Sequence, residues 1–323
     1  MCLDGGPFAL LRSFPAAGRL APARPEAPVA SHAGELFSVL ASLIWAFSVV
    51  LFRLSGRSFP PLSLNVFKNA IATVLLGATL LVTARSSFPQ APVRDYVLLA
   101  LSGVLGIALA DTLFFKSLNL VGAGLSQVIG CCYSPLVVLI SAAVLRERLS
   151  VGDVIGACLI LAGVALSTGH EPPAGVTRAD LRRGTVLGVL AFALMALGVV
   201  VAKPVLDRSP VLWSSTVRMV AGVAALLGLV VVSPGRRSVW SAFRPSPSWR
   251  FAIPGSVLGA YLAMIVWIAG IKYTLASTAS ILNQTSAVFV LPIAAVVLHE
   301  RITARKLVAV ALALAGVATV TLA

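Results

Sequence analysis

The 323-residue chain is poor in the residues from which enzyme active sites are built. It has three histidines, and all of them (His32, His170 and His299) lie in the N-terminal tail or in short connections. The sequence contains no nucleophile elbow, no glycine-rich phosphate loop and no spaced set of metal ligands. These absences argue against an enzyme, against ATP hydrolysis and against a bound cofactor or metal.

Charged residues are also scarce. They make up 11% of the chain, whereas soluble domains average about 25%. Hydrophobic residues account for 59% and the mean hydropathy is +0.99, which predicts an all-α integral membrane protein. The net charge of +14 is spread over short loops. This distribution favours contact with anionic lipid headgroups in the bilayer and argues against a nucleic-acid partner.

A membrane-spanning helix needs about 20 mainly apolar residues, and about ten such segments are present. They fall near 35–55, 61–84, 94–116, 119–145, 151–169, 183–206, 211–232, 249–271, 275–298 and 303–322. Residues 1–33 are rich in alanine, proline and arginine and predict a disordered tail. A polar linker at 170–182 separates the first five segments from the last five.

The two groups of segments are copies of one another. With an offset of 153, Glu147-Arg148 aligns with Glu300-Arg301, and with an offset of 150, Lys68 aligns with Arg218. The sequence therefore predicts two repeats, 34–169 and 183–323. Because each repeat has an odd number of spans, the two copies should be inverted in the membrane. Inverted repeats are typical of secondary transporters, with the substrate site near the bilayer midplane.

These features resemble the EamA-type transporters of the drug/metabolite transporter superfamily. The resemblance rests on ASLIWAFSVVLFR at 41–53, on the Pro60–Lys68 and Pro210–Arg218 pairs, and on the two Leu-x-Glu-Arg endings at 145–148 and 298–301. It implies a multi-pass carrier of the cell (inner) membrane that moves small metabolites such as amino acids. A homodimer is compatible with this resemblance. Pro135 in helix 4 has Val288 as its counterpart, while helix 9 carries Pro292 four residues later, so we expect any hinge or kink to differ between the repeats.

Three charged residues lie well inside the predicted spans, away from the span ends. Lys68 and Arg218 follow the prolines at the start of helices 2 and 7 by eight residues, which places them about 12 Å into the bilayer. They either face a cavity and attract anionic substrates, or form ion pairs or snorkel to an interface. Asp111 in helix 3 is a candidate for proton coupling, and alternatively neutralises Lys68 or Lys116.

Polar and aromatic residues of other spans complete the predicted cavity. Helices 4 and 9 carry equivalent polar stripes that line a cavity or hydrogen-bond neighbouring helices: Gln127, Cys131 and Ser134 in the first, Ser280 and Gln284 in the second. Three aromatic residues are candidates for the pathway or for packing: Trp45, Tyr261 and Trp267. Asn283 lies one residue from the stripe and suggests helix packing. The Glu147-Arg148 and Glu300-Arg301 pairs predict structural helix ends.

The sequence as a whole favours a secondary transporter. We expect it to export small amino-acid-like, zwitterionic or anionic metabolites by alternating access, with a cavity bounded by helices 1 to 4 and 6 to 9. Helices 5 and 10 are almost uniformly apolar and should be peripheral. The alternative is a membrane scaffold or accessory subunit that transports nothing, in which the polar stripes pair and leave no cavity.

Overall fold

The computed structural model describes residues 28–83, 91–145, 150–168, 176–206, 208–233, 236–273, 282–300 and 302–322. These residues form ten helical segments and no strand. The segments are α1 (Pro28–Ser55), α2 (Pro61–Thr83), α3 (Val93–Val121), α4 (Ala123–Gly130 and Tyr133–Leu145), α5 (Val151–Thr168), α6 (Arg178–Leu206), α7 (Val211–Val232), α8 (Trp249–Gly255, Ser256–Leu262 and Ala263–Tyr273), α9 (282–284 and Ser286–Leu298) and α10 (Ala304–Leu322). A short helix, Arg236–Ser241, connects α7 to α8.

Seven of the described helices are long and apolar enough to cross a membrane: α1, α2, α3, α4, α6, α7 and α8. Shorter apolar stretches, Val154–Leu166 and Leu282–Leu298, occupy α5 and α9. The ten segments follow the ten predicted from the sequence. The prediction of an all-α membrane protein is therefore confirmed.

Three helix boundaries differ from the prediction. The first helix begins at Pro28, within the predicted 1–33 tail, since proline is well suited to the first helical turn; residues 1–27 lie outside the described residues. The sixth helix begins at Arg178, within the predicted 170–182 linker, because the Thr177 hydroxyl accepts a hydrogen bond from the Asp180 N–H. The third continues to Val121, where Gly122 adopts a φ of +84° and ends it.

The interruptions of α4 and α9 lie at equivalent positions, whereas their local causes differ and only α9 carries a further proline, Pro292, inside its second part. The fourth helix is interrupted at Cys131–Cys132 and the ninth at Thr285, and these positions coincide at the repeat offset of 153. In α4, the ring of Pro135 clashes with the carbonyl of Cys131, four residues earlier. In α9, the Thr285 hydroxyl donates to the Leu282 carbonyl and shares a hydrogen bond with Ser42. A local side-chain bond of this kind competes with the helical ladder.

A second pair of irregularities lies in α3 and α8. Both helices contain a π-helical segment, Val104–Ala110 in α3 and Ser256–Leu262 in α8. Adding 153 to 104–110 gives 257–263, one residue from the observed segment in α8. Such π segments are rare and occur frequently at functional sites.

The two repeats interlock. The helix α1 packs against α8 and α9 of the second repeat, and α6 packs against α3 and α4 of the first. The helices α2, α3 and α7 also contact one another. In contrast, α5 and α10 pack mainly on each other, as expected for peripheral helices. The eight remaining helices therefore enclose the centre of the molecule.

Glu300 joins the two repeats. Its carboxylate follows α9 and accepts hydrogen bonds from the backbone N–H groups of Ala123 (2.9 Å) and Gly124 (3.1 Å) at the start of α4. A Cβ atom on Gly122 would lie 2.8 Å from the same carboxylate, so this position requires glycine. Glu300 thus caps a helix of the other repeat, where its negative charge meets the positive end of the helix dipole. Its aligned residue Glu147, together with the aligned pair Arg148 and Arg301, lies outside the described residues.

Glycines allow α5 and α10 to approach closely, and this contact generates a test. A Cβ atom on Gly163 would lie 2.7 Å from the carbonyl oxygen of Ala309, whereas a Cβ atom on Gly77 would meet nothing within 4 Å. We expect Gly163→Ala to lower the thermal unfolding midpoint in detergent, because overpacking costs about 1–3 kcal/mol. Gly77→Ala should leave the midpoint unchanged or raise it, since alanine favours helix by about 1 kcal/mol. Equal shifts of the two variants, measured by circular dichroism, would contradict this packing.

Candidate functional site

A cavity of about 190 Å³ lies between the two repeats. Its wall is formed by α1 to α4 of the first repeat and α6 to α9 of the second; no residue of α5 or α10 contributes. Gly106 and Gly259, one from each π-helical segment, are part of this wall. The irregular turns of α3 and α8 therefore shape the cavity from opposite sides.

Two of the three ionisable residues form a buried ion pair. The Lys68 ammonium lies 2.7 Å from the Asp111 carboxylate, and the two residues are only 5% and 8% exposed. Lys68 also donates to the Asn69 side-chain carbonyl at 3.1 Å. Of the two lysines proposed as partners of Asp111, the structure places Lys68 beside it, while Lys116 is exposed. Both members of the pair line the cavity.

Asparagine side chains hold this pair in position. Asn65 donates from Nδ2 to the carbonyl of Ile107 (2.9 Å) and to the hydroxyl of Thr112 (2.9 Å) in α3. A π-helical turn leaves carbonyls without their usual i to i+4 partner, and Asn65 satisfies one of them. Asn69 donates in turn to the side chain of Asn65 at 2.7 Å. The α2 helix is thereby tied to α3 at the turn that precedes Asp111.

Arg218 of α7 contributes a second cation, and it is not neutralised. The residue is 5% exposed, and its Nε and Nη1 atoms have no hydrogen-bond partner among the described residues. The Asp111 carboxylate and the Tyr133 hydroxyl lie within electrostatic range of the guanidinium. Gly103 of α3 allows the backbone of α7 to approach closely, since a Cβ atom there would collide with the Arg218 carbonyl oxygen; a Cβ atom on Gly106 would lie 3.9 Å from Nη2, an ordinary contact.

The charges of the described wall therefore do not cancel. Lys68 and Arg218 are positive and Asp111 is negative, which leaves a net charge of +1 inside the cavity. Burying a charge without a partner costs free energy. Membrane proteins tolerate such a charge in a spanning helix mainly where a substrate or ion binds. The cavity is thus suited to an anionic group.

Polar side chains of α4 and α9 form a second part of the wall. Gln127, Gln284 and Asn283 all line the cavity, and the Ser286 hydroxyl donates to the Gln127 side-chain oxygen at 3.4 Å. Asn283, which the sequence suggested as a packing residue, is in the wall as well. Cys131 and Ser134 are buried outside the lining, and the Cys131 thiol points to the Gln127 carbonyl. Ser280 lies outside the described residues.

Aromatic residues cover much of the remaining wall. Trp45 and Trp267 line the cavity as the sequence suggested, and Trp45 lies 6.0 Å from the ring of Phe114. Tyr261 instead hydrogen-bonds to Thr79 at 2.6 Å, outside the lining. Sequence reasoning missed Phe114 and three further residues of the wall: Phe192, Tyr133 and Asn69. The sequence contained a signal for the asparagines, because Asn65 and Asn69 are polar residues one helical turn apart in a mainly apolar span.

The buried pair predicts non-additive effects on stability. Lys68→Met leaves Asp111 without its counter-ion, and Asp111→Asn leaves Lys68 without its own, so each change should cost about 3–5 kcal/mol. The double variant removes both charges and should cost much less than the sum. Thermal or denaturant unfolding of the four proteins in detergent measures this coupling. Additive losses would show that the two side chains do not interact.

Comparisons with known proteins agree with this architecture. The model of the EamA-like transporter family matches twice, at residues 32–169 and 182–322. An uncharacterized transporter of Archaeoglobus fulgidus is 25% identical over 275 residues, which cover 84% of this chain and 91% of the relative. A protein of known crystal structure superimposes with a TM-score of 0.66 at 20% identity, over 90% of this chain and 97% of the other, and so shares the fold. The chain belongs to the EamA-like transporter family and is a membrane transporter.

Proposed function

We propose that the protein is a secondary transporter of small metabolites that carry a negatively charged group, including amino-acid-like, zwitterionic and anionic compounds. The observation that carries this proposal is Arg218, a buried guanidinium with free N–H donors at the wall of a cavity between the repeats. A guanidinium in a dry site binds carboxylates well because its planar donors match the two carboxylate oxygens. Arg218 is the proposed anion-binding residue.

The repeat-related cations act differently in this proposal. Lys68 occupies the equivalent position in α2, but Asp111 satisfies it at 2.7 Å. The counterpart of Asp111 at the offset of 153 is Met264, which carries no charge and also lines the cavity. The second repeat therefore leaves its cation free for substrate, while the first neutralises its own.

The interruptions in α4 and α9 support alternating access as the mode of transport. Both lie beside cavity residues, Gln127 and Gly130 in α4 and Gln284 and Ser286 in α9. Breaks in the helical ladder are positions where a helix bends at low cost, and carriers built from inverted repeats move one repeat against the other around a fixed site. We propose that these breaks allow the cavity to open to each side in turn.

The cavity itself favours transport over the scaffold alternative. In a scaffold, the polar stripes of α4 and α9 would pair fully and leave no space between them. Here the Gln127–Ser286 bond is long, at 3.4 Å, and Gln127 and Gln284 both border open volume. Export remains a prediction that transport assays in oriented vesicles decide.

Removal of the free cation should abolish transport. We expect Arg218→Gln to reduce uptake of carboxylate substrates into proteoliposomes by on the order of 100-fold, because a charge-assisted bidentate contact is lost. A thermal-shift screen of amino acids, organic acids and nucleosides identifies the substrates first, since a ligand that binds only the folded state stabilises it. Arg208→Gln is the matched control, because Arg208 is an exposed arginine that pairs with Asp95 outside the cavity lining. Equal transport by wild type and Arg218→Gln would overturn the proposal.

The ion pair also provides a route for proton coupling. Protonation of Asp111 would release Lys68 and strengthen the attraction for an anion, so proton and anion would bind together. The charged groups facing Asp111 are Lys68 from α2 and Arg218 from α7, with the Tyr133 hydroxyl nearby. Net flow would follow the combined proton and substrate gradients, and export would require the outward substrate gradient to exceed the inward proton gradient.

Proton coupling through Asp111 predicts that substitution of this residue abolishes the response of transport to a pH gradient. Wild-type vesicles should accumulate an anionic substrate when the exterior is acidic, by up to about tenfold per pH unit for one coupled proton. Asp111→Asn should still bind the anion but show no response to the pH gradient. Asp95→Asn, which alters a carboxylate outside the cavity, should retain the response. Normal accumulation by Asp111→Asn across the same gradient would rule out coupling through this residue.

A further inference from the structure

We infer that the cavity selects monoanionic acids that lack a free ammonium group, such as N-acylated amino acids, over zwitterionic amino acids. This inference rests on the proposed function and narrows it to one substrate class. Its basis is the arrangement of three charges and four uncharged polar side chains in the described wall.

The charge of the cavity distinguishes the two classes of substrate. Lys68, Asp111 and Arg218 together leave a charge of +1 in the described lining. A monoanion brings this total to zero when its carboxylate meets Arg218. A zwitterion adds no net charge, so its binding leaves one positive charge uncompensated in a site of low dielectric.

The ammonium group of a zwitterion also lacks an acceptor of opposite charge. Asp111 is the one carboxylate of the described wall, and it lies 2.7 Å from the Lys68 ammonium. An ammonium that approached Asp111 would have to share it with Lys68, a like charge. An uncharged group at the same position meets no such repulsion.

Uncharged donors and acceptors suited to an acyl amide are present in the parts of the wall formed by α4 and α9. Gln127 of α4 and Asn283, Gln284 and Ser286 of α9 all line the cavity. A side-chain amide offers both a donor and an acceptor, which matches the N–H and C=O of an N-acyl group. The rings of Trp45, Phe114 and Trp267 supply an apolar surface for the remaining side chain.

Three probes that share the leucine side chain test the inference. N-acetyl-L-leucine carries a carboxylate and an amide, L-leucine carries a carboxylate and an ammonium, and N-acetyl-L-leucinamide carries neither charge. Binding to the purified full-length protein is measured by thermal shift over a concentration series. We expect N-acetyl-L-leucine to bind at least about tenfold more tightly than L-leucine, the equivalent of about 1.4 kcal/mol.

Two substitutions should reduce this preference by different routes. Arg218→Gln should reduce the affinity for N-acetyl-L-leucine to that for the neutral amide, whereas Arg218→Lys, which keeps the charge, should retain part of the preference. Lys68→Met frees Asp111 to accept an ammonium. The affinity for L-leucine relative to that for N-acetyl-L-leucine should therefore rise by about tenfold or more. Lys116→Met removes an exposed lysine of the same helix as Asp111 and should leave the ratio unchanged.

The outcomes separate the two levels of the proposal. If L-leucine binds as tightly as N-acetyl-L-leucine and Arg218→Gln weakens both, the selection against ammonium groups is overturned while carboxylate binding by Arg218 stands. If the neutral amide equals both acids, or if none of the three binds, the proposed function falls as well. A preference for N-acetyl-L-leucine that reverses in Lys68→Met supports the inference.

Discussion

The structure depends on an imbalance of charge in an apolar interior. Two cations and one carboxylate lie where water is largely excluded, and only one of the cations is paired. The side chains and helices around them hold these groups in position. Asn65 and Asn69 tie α2 to the irregular turn of α3, and Gly103 of α3 lets the backbone of α7 approach closely at Arg218. Since an unpaired buried charge destabilises a fold, its retention points to a role in binding.

The two repeats show how one fold accommodates different chemistry. The backbone irregularities are shared: both repeats interrupt their fourth helix at equivalent positions, and both carry a π-helical turn in the third. The side chains at these irregular positions differ. The first repeat has Asp111 and Pro135, whereas the second has Met264 and Val288 at the same positions. A common mechanical framework therefore surrounds a site whose polarity is not symmetric.

Much of this organisation follows from the sequence. Charged residues inside apolar spans are few, so Lys68, Asp111 and Arg218 stand out, and the repeat offset pairs Gln127 with the polar face of α9. The π-helical turns are not predictable in this way, because a change in hydrogen-bond register leaves the apolar pattern unaltered. Ser134 illustrates a related limit: the 3.6-residue period that aligned it with Gln127 holds only for a continuous helix, and α4 breaks between them.

Aromatic residues and long-range contacts were harder to anticipate. Phe114 and Phe192 resemble any other core aromatic in the sequence, and only the packing of α3 on α6 brings them to the cavity, with ring centroids 5.9 Å apart. The sequence predicts Glu300 at the end of its own helix. Its hydrogen bonds to α4 depend on a contact between residues 176 or more positions apart, which no local pattern encodes.

The single uncompensated charge of the cavity has an electrical consequence. In a carrier that alternates between two openings while Asp111 stays ionised, the empty cavity would take one positive charge through part of the membrane field, whereas a cavity filled by a monoanion would take none. Moving one elementary charge across 100 mV changes the free energy by about 2.3 kcal/mol. Voltage would therefore act on the return of the empty protein and leave the loaded step untouched, so that the membrane potential sets which side the unoccupied binding site faces.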